Sequence, residues 1–66
     1  MSKTREVDRR DGRWRIEHVE ELYKDNTIEI LWYDVLSDTP GIERLQLDTI
    51  EEAEAALKEL KARHGD

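Results

Sequence analysis

His18 and His64 are the only histidines in a 66-residue chain that has no cysteine, so thiol catalysis, disulfide staples and cysteine-bearing zinc knuckles are excluded. Neither histidine has a second one at ligand spacing, and the spacing therefore assigns no metal and no cofactor. His18 falls in a strand-like stretch at the edge of a core, and His64 near a helix end where a cation complements the dipole. Ser37 has no Gly-x-Ser-x-Gly context and no glycine-rich loop precedes a helix, so nucleophile-elbow hydrolysis and dinucleotide binding lack their marks. Asp34, Asp38, Asp48, Glu51 and Glu52 could meet near the loops at one end of a sheet and hold a cation, but among seventeen acids such convergence arises by chance. No residue is assigned a catalytic role, and the chain reads as a non-enzyme.

The elements that would position these groups follow from local patterns. Residues 1–12 offer only Val7 and the initiator Met as sizeable apolar side chains, so they read as a flexible charged arm ending in the turn dipeptide Asp11-Gly12. From Arg13 the alternation of Trp14, Ile16 and His18 against Arg13, Arg15 and Glu17 predicts a first strand. Lys24-Asp25-Asn26 predicts a turn, and residues 27–36, rich in β-branched and aromatic side chains, predict a central strand. Ser37 to Gly41 is a loop built on Pro40 and Gly41, and residues 42–47 read as a third strand. Thr49 with Glu52 three residues on forms a capping box. Acids in the first turn, Lys61, Arg63 and His64 in the last, and Gly65 beyond them predict a C-terminal helix. The expected fold is α+β: a three-stranded antiparallel meander with one C-terminal helix on one face, as a single domain over residues 13–66. So short a chain buries only ~60% of its unfolded surface, which excludes an enclosed catalytic cavity and a small-molecule substrate.

The narrow apolar stripe of Ala53, Ala56, Leu57 and Leu60 is expected to cover a sheet face made of Trp14, Ile16, Ile28, Ile30, Trp32, Leu45 and Leu47. One helix covers one face. That leaves Val19, Leu31, Tyr33, Val35 and Ile42 as an uncovered apolar face, the kind of patch that marks interaction sites. It predicts protein–protein interaction through that face, either with a second copy as a homodimer or with a foreign protein.

Charge is segregated. Residues 1–15 carry six basic groups against three acids, whereas the other 51 carry five against fourteen, for a net charge of −6. No apolar run approaches the ~20 residues of a membrane span, and the N-terminus lacks the apolar stretch of a secretion signal. The expected address is cytoplasmic.

The order of three strands and a helix, with Asp11-Gly12-Arg13-Trp14 opening the first strand and Asp48-Thr49-Ile50-Glu51-Glu52-Ala53-Glu54-Ala55-Ala56-Leu57 opening the helix, resembles the N-terminal arm-binding domain of tyrosine-type phage integrases. Plant ethylene-response DNA-binding domains are similar in plan. The resemblance spans about residues 11–63 and implies an accessory protein of a phage or mobile element. In that family the sheet face opposite the helix enters the DNA major groove. The implied reading face holds Arg13, Arg15, Tyr33, Arg44 and Gln46, and the basic arm adds Arg9 and Arg10. The same face would hold Glu17, Glu29, Leu31 and Val35, and the acidic body opposes phosphate attraction. A third expectation, from the fourteen acids of residues 16–66, is an acidic nucleic-acid mimic that occupies a DNA- or RNA-binding protein.

Overall fold

A computed structural model describes residues 2–65. The chain runs β1 (Ser2–Asp11), β2 (Trp14–Leu22), β3 (Ile28–Ser37), β4 (Leu45–Leu47) and α1 (Ile50–His64). The strands form one antiparallel sheet in sequence order, β1-β2-β3-β4. The α+β class and the C-terminal helix agree with the sequence, but the sheet has four strands, not three. The segment expected to be a flexible arm is a ten-residue strand paired with β2 from Ser2 opposite Leu22 to Asp11 opposite Trp14. It lacks an apolar face, as the sequence says. What ties it down is the backbone ladder together with charges that find partners across the sheet and on α1. Gly12, at φ 61°, opens the two-residue connection, the glycine-first arrangement that suits tight hairpins.

Asp25 and Asn26 shape the β2–β3 turn. Asn26 takes φ 69°, and the Asp25 carboxylate accepts from the backbone N–H and hydroxyl of Thr27. β4 is shorter than expected, because Ile42 packs from the loop rather than from a strand. Thr49 caps α1, accepting from the Glu52 N–H at 3.1 Å while its hydroxyl donates to the Glu52 carboxylate. Gly65 closes the helix, its N–H donating to the Lys61 carbonyl.

The core is Trp14, Ile16, Val35, Ala53 and Leu57, with Tyr33, Ile42, Leu47, Ile50, Ala56 and Leu60 packed against it. The expected assignment of faces along β3, with Ile28, Ile30 and Trp32 toward α1 and Leu31, Tyr33 and Val35 away from it, is therefore wrong in half of its members. Residues opposite one another in an antiparallel pair share a face. Ile16 faces Val35 and His18 faces Tyr33, which puts Tyr33 and Val35 under α1, while Trp32 pairs with Val19 on the other side. The register then shifts by one residue between Val19 and Glu20, so Ile30 and Ile28 oppose Glu20 and Leu22 and return to the helix side. A bulge at Leu31 breaks the period of two on which the face assignment depended. α1 does not reach these two isoleucines, and they stay exposed at 60% (Ile28) and 47% (Ile30).

Candidate functional site

Alternation along β2 puts His18 and Glu20 on the helix side of the sheet, and the β1 register sets Glu6 opposite His18 and Thr4 opposite Glu20. A bulge between Val7 and Arg9 brings Asp8 into the same group. The result is a buried imidazole, 8% exposed, ringed by three carboxylates. His18 Nδ1 lies 2.6 Å from Asp8 Oδ2, and Nε2 lies 3.2 Å from Glu20 Oε2 and 3.9 Å from Glu6 Oε1. The Tyr33 ring meets the imidazole edge-on, with centroids 6.1 Å apart. Burial pushes the His18 pKa down, but hydrogen bonds to Asp8 and Glu20 outweigh it, so the imidazole is held above its usual range. Hydrogen bonding with Glu20 pushes the Glu6 carboxyl up, and the same contact pushes Glu20 down. Glu6, His18 and Glu20 each bring a donor atom within 4.8 Å of the others, a set able to hold a metal ion.

The sheet face away from α1 differs from the apolar surface expected of it. Arg5 on β1 reaches across β2 to Asp34 on β3 at 2.7 Å and contacts Glu17 at 3.1 Å. Arg15 holds Glu17 and Asp38, both at 2.6 Å, and Arg10 approaches Asp38 at 3.6 Å. The Trp32 Nε1–H donates to Asp34 at 3.3 Å. Burial raises the Glu17 carboxyl, but the Arg15 and Arg5 hydrogen bonds overcome that and hold it below the usual range. Asp34 heads the causes that raise Arg5, and Glu17 those that raise Arg15. Charges ordinarily left to solvent here seal one another, and Val19 is buried beneath them.

The residues singled out from sequence are thus scattered. Of the expected interaction face, Val35 is fully buried in the core, Tyr33 and Ile42 pack on that core, Val19 lies under the ion pairs, and Leu31 is half-buried at the bulge. The expected nucleic-acid contacts do not gather either. Arg9 bridges to Glu54 on α1 at 3.3 Å, on the helix side, whereas Arg10 and Arg15 hold Asp38 on the other side. Arg13 is in the β1–β2 turn, Arg44 precedes β4, and Gln46 opposes Asp34; all three are exposed.

Sequence reasoning missed two features. The first is the His18 cluster, whose only signal is the alternate spacing Glu6-x-Asp8 and His18-x-Glu20, meaningless until β1 is a strand. The second is the far end of the β2–β3 hairpin. β4 pairs only with Tyr33 to Val35, and among the described residues no strand lies beside Ile28 to Trp32 on that edge. Leu22, 43% exposed, stands opposite Ile28, so three apolar side chains share an overhang next to an unpaired backbone edge. No family model matches the chain, and no curated protein or solved structure matches it. Among the described residues no helix is long and apolar enough to cross a membrane.

Proposed function

We propose that this chain is a small non-enzymatic protein-binding module, and that its docking surface is the unpaired edge of β3 with the apolar overhang of Leu22, Ile28 and Ile30. One observation carries the reading: Ile28 to Trp32 is a strand edge along which, among the described residues, no further strand pairs, with no Lys or Pro in it to guard it and exposed isoleucines along it. Native sheets normally blunt such edges. The partner it fits first is a second copy. An antiparallel pairing centred on Ile30 sets Ile30 against Ile30 and keeps the Glu29 of one copy from standing directly opposite the Glu29 of the other. Such an isologous contact closes as a two-fold dimer. Burying an isoleucine fully is worth up to ~1.5–3 kcal/mol, these are already half covered, and association costs at least ~4 kcal/mol. The dimer is therefore reversible and leans on the ladder hydrogen bonds.

Sedimentation of the wild type and of Ile30→Lys across a concentration series tests this. The wild type is expected to dimerise with rising concentration and the variant to remain monomeric with an unchanged circular dichroism spectrum. A wild type that stays monomeric at hundreds of micromolar overturns self-association. A shift of duplex DNA that fades steeply with salt would favour the nucleic-acid reading instead.

A further inference from the structure

We propose that Glu6, His18 and Glu20 form a binding site for one divalent transition-metal ion of the zinc class, with Asp8 as its positioning residue. The site is built on the paired strands β1 and β2 rather than on a loop. Glu6 and His18 oppose one another in register, and Glu20 follows His18 on the same face. Its centre is an imidazole nine-tenths buried, with Nε2 aimed at two carboxylates. When Nδ1–H donates to Asp8, Nε2 is left as an acceptor, and it and the two carboxylates beside it present one donor atom each to a common point that suits a cation. A proton on Nε2 fills that role in part. It leaves three carboxylates around one imidazolium, with Glu6 Oε1 too far away at 3.9 Å to accept from the ring.

A metal ion would use all three groups. In tetrahedral zinc sites, donors bonded at ~2.0–2.2 Å are about 3.3–3.6 Å from one another. The Nε2 to Glu20 separation of 3.2 Å already fits. Glu6 needs to close by roughly the difference from 3.9 Å, and its side chain, 60% exposed, is free to swing. Binding displaces the Nε2 proton to solvent, and the fourth position is left to water. The nitrogen donor selects zinc-like ions over magnesium and calcium, which prefer all-oxygen shells. Asp8 at 2.6 Å from Nδ1 supplies the carboxylate–histidine support such ligands normally have. The site is independent of the proposed dimer.

Calorimetric titration with zinc chloride, and cobalt(II) absorption as a geometric probe, test the site on the full chain. The wild type is expected to bind one equivalent and to give a tetrahedral cobalt spectrum. Glu6→Gln, at an exposed position, and Glu20→Gln are each expected to weaken binding at least ~10-fold, and Asp8→Asn, which removes no ligand, by ~10–100-fold. His64→Gln is expected to bind as the wild type does. Absence of saturable binding, unchanged affinity in Glu6→Gln, or loss of binding in His64→Gln overturns the proposal. Circular dichroism of each variant separates lost binding from lost fold.

Discussion

Asp34 is 1% exposed on the sheet face away from α1, and its carboxylate accepts from one arginine and one indole. Leaving a buried carboxylate without its cation costs more than the pair contributes when intact. Arg5→Ala is expected to destabilise by about 1.5–3 kcal/mol, the range for a hydrogen bond to a charged group. A fully enclosed pair would cost more to break, but Arg5 itself reaches water. Urea denaturation checks this, and Arg5→Ala with Asp34→Asn should lose less than the two single losses added, because they share one interaction. Trp14 is the other residue on which the fold leans. It is almost fully buried, donates from Nε1 to the Gly65 carbonyl at 3.1 Å and lies against the His64 ring, pinning the end of α1. Trp14→Ala is expected to cost about 3–5 kcal/mol, whereas the half-buried Trp32 should cost less. Thermal melts of the two variants give the order.

β1 is the element that local pattern least anticipates. An isolated strand with no apolar face has nothing to bury, so composition alone reads it as solvated. In the folded chain it supplies Arg5 to Asp34, Asp8 to His18, Arg9 to Glu54 and Asp11 to Lys61. Deleting residues 2–8 should therefore lower the melting temperature markedly, and an unchanged melt would mean that the strand holds nothing in place. The Asp11–Lys61 contact at 2.7 Å also sets a pH dependence. Lys61 holds Asp11 below the usual carboxylate range, so the folded pKa is lower than the unfolded one. The contribution is then fully present above the unfolded value of ~3.9 and lost as pH falls through the depressed one. Asp11→Asn should be less stable than the wild type at neutral pH and should converge with it in strong acid, as read by urea midpoints. At α1 the signals were local and legible. Thr49→Ala removes a side-chain acceptor from the Glu52 N–H and should cost about 1 kcal/mol.

The whole molecule is elongated, 43 × 22 × 16 Å, with a Cα radius of gyration of 13.0 Å, where a compact chain of this length has about 11 Å. The β2–β3 hairpin runs past the end of the layer that α1 covers, and this excess length is what exposes Ile28 and Ile30. If a second copy covers them, the melting temperature of the wild type rises with protein concentration. That of Ile30→Lys should not, and its monomer stability should stay within about 0.5 kcal/mol of the wild type, as for other exposed positions. The capped helix, the Asp25-Asn26 turn and the β2 and β3 strands were readable from sequence, because caps, turns and apolar runs act over a few neighbouring residues. The pairing of β1, the face of each β3 side chain and the gathering of Glu6, Asp8, His18 and Glu20 were decided only by tertiary structure. Strand pairing joins residues distant in the chain, and one extra residue at Leu31 reverses the side to which its neighbours point.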